Sequence, residues 1–220
     1  MSSYFAKRRN MLLSAGVMQG TRLDDLSVGD SVYIFEGSED DGNLYPYILI
    51  AANNYPTDGV VLLMRDGAIT NMQYAANNIT GYSASPIDSV YLAGEGPSGY
   101  LGQFSPEMRA KIQSAEIDSH TSYGASIKLQ RRAFILSDTE IRDSAGALYS
   151  EGEKIAYFDD NPYPSGAWTR QPYSYSGAYV YQLYATGVYN VVSYNSVLAV
   201  IPCICLLGSE RVDANNTLIV

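Results

Sequence analysis

The chain predicts an α+β fold: antiparallel sheets with short helices between them. Three observations carry this. Asp-Gly steps punctuate apolar runs in the first third of the 220 residues, Ser-Pro pairs open short helical stretches in the middle, and alternating tyrosines precede an apolar run near the end. Strands, then helices, then strands are the order of an α+β domain rather than of a parallel α/β sheet.

The elements follow in order. Residues 1–22 hold Lys7, Arg8, Arg9 and Arg22 and no acid. Ser2 or Ser3 can cap a short helix whose apolar residues include Phe5, Leu12 and Leu13. This segment docks either on a partner or on its own domain. Met11–Met18 after the basic cluster mimics a signal peptide, but its apolar part is short and carries Ser14 and Gly16, so no cleaved leader is expected.

From Leu26 the pattern is β. Ser31–Phe35 and Tyr45–Ala52 flank an acidic turn, Val60–Arg65 follows Asp58-Gly59, and Asp66-Gly67 follows in turn. Asp-Gly supplies the positive-φ residues that tight hairpins need, so a meander is predicted. Ser85-Pro86 opens a short helix to about Leu92, because Ser caps orphan amides and Pro tolerates the first helical position. Ser105-Pro106 repeats the device before a helix predicted over Glu107–Ile117, with Met108, Ile112 and Ala115 on one face. Ala133–Leu136 reads as a buried strand, and Ser137-Asp138-Thr139-Glu140 as the capping box of a third helix. Tyr179–Tyr184, Tyr189–Tyr194 and Val197–Leu207 complete the pattern as strands. The last lacks alternation and is expected to be covered on both faces, with a bulge or edge position at Pro202, which has no N–H to donate.

Composition bounds the function. Hydrophobic residues make up 46%, enough for a core. A net charge of −9 opposes binding to phosphate backbones, so nucleic acid is not an expected partner. No apolar run reaches the roughly 20 residues that cross a bilayer. Cys203 and Cys205, two apart, would bridge only with strain and read as buried thiols.

Catalytic and cofactor signals are weak. Gly94–Gly99 matches Gly-x-Gly-x-x-Gly literally, but Pro97 removes an amide and no strand-to-helix turn surrounds it. His120 is the single histidine and lies in a Ser/Thr-rich stretch, where it is expected to face solvent; no nucleophile elbow accompanies it. Glu39-Asp40-Asp41 and Asp159-Asp160-Asn161 could offer oxygen ligands but lack calcium-loop spacing. Asp159 and Asp160 are also the residues that a glycan hydrolase would draw on, by type alone. No metal, no cofactor and no enzymatic activity are expected.

The most suggestive stretch is Trp168–Leu207, crowded with Tyr, Ser, Gly and Asn. Tyr and Trp give large, stiff contact area at low entropic cost, the composition of recognition loops. Trp168, Arg170, Tyr173, Tyr175, Tyr179 and Tyr189 are the candidate binding residues. Phe5, Lys7, Arg8, Arg9 and Leu12 are the candidate anchoring residues.

Several landmarks occur in a telling order: Val28-Gly29-Asp30, Tyr47–Ile50, Val60–Met64, Ser85–Leu92, Ala133–Ile141, Trp168-Thr169-Arg170-Gln171-Pro172 and Val197–Leu206. Over about residues 26–207 the chain resembles an uncharacterised domain-of-unknown-function family of gut bacteria and their phages. That family carries Phe-Leu-Leu-Ser, Trp-x-Arg-Ser-Pro and Val-Arg-Pro-Ala-Leu segments. Gln171 stands where the family has Ser, and Val200-Ile201-Pro202-Cys203 where it has Val-Arg-Pro-Ala. The resemblance implies a compact C-type-lectin-like frame with variable loops, in adhesion modules rather than enzymes.

The expected organisation is a basic anchor over residues 1–22, an α+β recognition and display domain over residues 23–208, and a C-terminal tail over residues 209–220. The expected role is that of a phage virion structural protein, made in the host cytoplasm and placed at the tail tip, tail fibre or capsid surface. It would be a homo-oligomer joined to other virion subunits through the N-terminal segment and would attach to a host surface glycan or protein. The alternative is a decoration or adaptor subunit whose Tyr-rich surface meets neighbouring virion proteins.

Overall fold

The computed structural model describes residues 20–37, 42–52, 55–56, 58–77, 80–121, 123–142, 151–173, 178–183 and 189–220. The candidate anchor residues Phe5, Lys7, Arg8, Arg9 and Leu12 lie outside these, as does Tyr175.

The protein is mainly β, with few and short helices. Strands β1 (Thr21–Arg22), β2 (Ser31–Glu36), β3 (Asn43–Ala52), β4 (Val60–Arg65) and β5 (Thr70–Gln73) come first. A π-helix over Ile87–Leu92 and helix α1 (Pro106–Lys111) follow. Next come β6 (Ala115–His120), β7 (Ser126–Arg131), β8 (Ala133–Phe134) and helix α2 (Asp138–Ile141). The chain closes with β9 (Ala167–Pro172), β10 (Tyr179–Leu183), β11 (Tyr189–Ser193), β12 (Val197–Val200), β13 (Cys203–Leu207) and β14 (Arg211–Val212).

Two five-stranded sheets dominate, ordered β2-β3-β4-β13-β8 and β11-β10-β9-β12-β5. The first is antiparallel throughout. In the second, β12 runs parallel to β9 at Ala199 and Ala167, so that sheet is mixed. The two sheets share one bent ribbon. β4 pairs with β13 and β5 pairs with β12, and both strands of the ribbon change sheet at the same level. Proline explains the bend. The predicted strand Val197–Leu207 breaks at Ile201-Pro202, where the ladder loses a donor, and the Pro202 carbonyl still accepts from the Arg65 amide at 3.0 Å. The Arg65 guanidinium stitches the other side, donating to the carbonyls of Gly67 and Ala68 at 3.2 Å each.

Central strands are buried on both faces, as continuous apolar runs require. Every residue of β4 and β9 is buried. One hydrophobic core joins the two large sheets, from Val32 and Leu49 through Leu63 and Phe134 to Trp168 and Ile204. Cys203 and Cys205 are free thiols within it.

The helix starts follow the sequence. The Ser105 hydroxyl accepts from the Met108 amide at 3.1 Å with Pro106 at the first turn, and Ser137 and Glu140 form the complete capping box. The predicted helix Glu107–Ile117 is shorter. It ends at Lys111, Ile112 turns extended, and Ala115–His120 becomes β6. The physical reason is a second period in the same residues: Ala115, Ile117 and Ser119 alternate with Glu116 and Asp118, and pairing with β7 buries the first set. Residues 209–220 are not a loose tail. β14 pairs with β1, and Val212 and Leu218 are buried. Gly94–Gly99 follows the π-helix and folds on itself; a Cβ on Gly99 would stand 2.2 Å from the Gly94 carbonyl oxygen, so these glycines serve a close backbone approach.

Candidate functional site

The site begins with β9, whose residues Trp168, Thr169, Arg170 and Gln171 are all buried. Trp168 is 0% exposed. Its ring lies 5.3 Å from the Tyr74 ring, tilted at 59°, and its Nε1–H donates to the Met72 carbonyl at 2.8 Å. An indole needs a partner for its one donor when buried, and the β5 backbone supplies it. Trp168 is therefore interior packing, a correction to its reading as a binding residue.

Arg170 is corrected in the same way. It is 0% exposed, and a buried guanidinium is tolerable only when its donors are satisfied. Here all five are. Nε donates to the Asp118 carbonyl at 2.9 Å. Nη1 donates to the Ile135 carbonyl at 3.1 Å and to Glu140 Oε2 at 2.5 Å. Nη2 donates to Glu140 Oε1 at 2.7 Å and to the Glu151 carbonyl at 2.9 Å. Burial opposes the charge on Arg170, but Glu140 outweighs it and the guanidinium is held more firmly protonated than usual.

Local structure aims Glu140. The capping box fixes its carboxylate, because Oε2 accepts from the Ser137 amide at 2.7 Å while the Glu140 amide donates to the Ser137 hydroxyl. The Tyr55 hydroxyl donates to Oε1. The same side chain thus caps α2 and ties it to β9.

Glu151 and His120 complete the cluster. Glu151 Oε1 accepts from the His120 amide at 2.6 Å and lies 3.5 Å from His120 Nδ1. Burial pushes the Glu151 carboxyl up, partly offset by His120 and Arg170. His120 is 8% exposed, not solvent-facing as its Ser/Thr-rich surroundings predict. The end of β6 is covered because Thr121 bridges to Gly81.

The exposed part of the site lies beyond the end of β9. Tyr173 and Tyr179 are 38% and 44% exposed. Their rings stand edge to face with centroids 6.4 Å apart, and Tyr173 meets the buried Tyr181 ring at 5.6 Å. The Tyr173 amide donates to the Tyr179 carbonyl at 2.9 Å, so the pair sits on hydrogen-bonded backbone. Tyr189 occupies the neighbouring strand β11. The candidate residues therefore divide: Tyr173 and Tyr179 are brought together at the surface, while Trp168 and Arg170 are buried.

Asp159 and Asp160 are exposed, and Asp159 pairs with Lys154 at 2.6 Å. Among the described residues, no group of three or more His, Cys, Asp and Glu could hold a metal ion. No helix among them is long and apolar enough to cross a membrane.

Sequence reasoning missed Glu151 and His120 as cluster members and saw Glu140 only as a cap. The capping box was the one available signal. Nothing local in the sequence marks Glu140 as the partner of an arginine thirty positions later.

The motif segments of the resemblance converge on this cluster. Phe134 and Glu140 come from one, Trp168 and Arg170 from the next, and Cys203 pairs with Phe134 across the β8–β13 ladder. No curated protein and no solved structure matches the chain. A family model covers residues 58–208, a span that holds all three segments, and the chain belongs to that family: the domain of unknown function DUF6273.

Proposed function

We propose that this chain is a phage virion structural protein that displays a recognition domain for attachment to the host envelope, and that its ligand is a surface saccharide. The single observation that carries the reading is the exposed Tyr173–Tyr179 pair on hydrogen-bonded backbone. Aromatic faces cover the apolar C–H faces of sugar rings, and phenol hydroxyls give and accept hydrogen bonds. A rigid platform loses little entropy when it binds. The resemblance to a family of gut bacteria and their phages supports the virion setting, and the lectin-like frame it implies suits a saccharide ligand. The basic segment over residues 1–22 supports attachment to other virion subunits. Weak single contacts would gain avidity from many copies at a tail tip, tail fibre or capsid surface.

The test uses the purified chain and its Tyr173→Ala/Tyr179→Ala variant on an array of bacterial surface polysaccharides. Binding that disappears in the variant supports the reading. Equal binding by both forms, or none by the native chain, contradicts it. Failure of the variant to enter virions, with no glycan bound by the native chain, would assign the face to a neighbouring virion subunit.

A further inference from the structure

Five acidic side chains are buried among the described residues: Glu36, Asp88, Asp138, Glu140 and Glu151. Four have an arginine of their own. Arg65 holds Glu36 at 2.8 and 3.3 Å, and Arg131 holds Asp88 at 2.7 and 2.6 Å. Arg142 holds Asp138 at 2.5 Å, and Arg170 holds Glu140 at 2.5 and 2.7 Å. Glu151 is the fifth. Arg170 Nε stands 3.8 Å from its carboxylate, and that N–H points to the Asp118 carbonyl. Glu151 instead faces the imidazole of His120.

The charges do not balance without a proton. Arg170 supplies one positive charge to two carboxylates, and all three side chains are 0% exposed. A lone buried negative charge is costly, and a carboxyl in that position takes up a proton rather than remain ionised. The other groups facing the pair do not offer one. Asp118 on β6 has its carboxylate on Lys128 at 3.1 Å, Asp138 on α2 is taken by Arg142, and the Tyr74 hydroxyl donates to the Arg170 carbonyl at 2.9 Å. Tyr55 donates to Glu140.

We propose that Glu151 and His120 hold one exchangeable proton between them in the folded protein, a clasp that fastens the end of β6 to the Arg170 cluster and loosens as pH rises. The proton sits on the Glu151 carboxyl or on the imidazole; either placement leaves the cluster neutral. The direction of the Glu151 shift agrees, since burial raises it above its usual range. The sign follows. A group raised in the folded state stabilises fully below its unfolded value, and that stabilisation is lost as pH rises through the folded value.

The experiment reads denaturant unfolding of the full chain from pH 6.5 to 8, in native form and as Glu151→Gln. An unfolded glutamate binds no proton in this range, and the unfolded histidine titrates alike in both forms, so the difference between the two slopes reads the proton held in the folded state. The native unfolding constant should rise with pH more steeply than that of Glu151→Gln, the difference in slope approaching the one-proton limit of about tenfold per pH unit. Parallel slopes would overturn the proposal. A second readout needs no variant. His120 is the only histidine, so its imidazole carbon and nitrogen resonances are unambiguous. At pH 7 the expected result is either a protonated imidazole or a neutral one beside a protonated Glu151 carboxyl. A neutral imidazole beside an ionised Glu151 would sink the proposal.

Discussion

Arg170 and Glu140 meet through two parallel hydrogen bonds of 2.5 and 2.7 Å in a fully buried pair. One comes from the centre of β9 and the other from the last turn before α2 ends. The pair fastens a short helix, with little packing area of its own, to a central strand. A buried pair of this kind is weak as net stabilisation but costly to break, because one removed partner strands the other charge.

Arg170→Met should therefore lower stability by about 3–5 kcal/mol. It removes the Arg170 donors from the Glu140 carboxylate and from the Asp118, Ile135 and Glu151 carbonyls. Urea unfolding checks this: the midpoint should fall with little change in slope, and an unchanged midpoint would remove the cluster from its structural role.

Gly152 is a second sensitive point. Its φ of +105° lies where side chains are strained, and a Cβ would stand 2.7 Å from the Tyr55 hydroxyl and 2.9 Å from Glu140 Oε1. Gly152→Ala should cost about 1–3 kcal/mol for the backbone alone, with the crowding added. Thermal unfolding checks it, and Gly59→Ala is a useful comparison because it has positive φ but open space around its Cβ.

The thiols should be silent in the folded protein. Burial pushes the Cys205 thiol up to about 12 and moves Cys203 upward as well. The thiolate is the reactive form. A thiol reagent at pH 8 should label neither cysteine in native buffer and both in denaturant; fast native labelling would contradict the burial of β13.

Much of this fold was legible because its signals are local. Asp58-Gly59 and Asp66-Gly67 bracket β4, Ser105-Pro106 starts α1, and Ser137 with Glu140 starts α2. The break at Pro202 was legible as a lost donor, but the passage of β12 and β13 into different sheets was not, since it depends on where β4 and β5 lie. The end of α1 was misread because Met108, Ile112 and Ala115 fit a helical period while Ala115, Ile117 and Ser119 fit a strand period. The candidate site was legible only in part. Tyr173 and Tyr179 do face outward, but the composition that marks them also surrounds Trp168, and sequence cannot separate a ring on the surface from one beneath it. Arg170 and His120 were misplaced for a related reason: their acidic partners, Glu140 and Glu151, are distant in the chain.

The molecule separates a buried frame from an exposed aromatic face, and one measurement tests that separation most directly. It is the polysaccharide-binding isotherm of Tyr173→Ala/Tyr179→Ala, taken on protein whose urea midpoint has been measured beside it. Both side chains are partly exposed, so the midpoint should move by no more than about 1 kcal/mol equivalent per residue, the centre of ordinary substitutions. Binding should weaken at least tenfold, the loss of about 1.4 kcal/mol expected for removing two aromatic contacts. An isotherm that overlays the native one, at a native midpoint, would show that these tyrosines do not form the binding face.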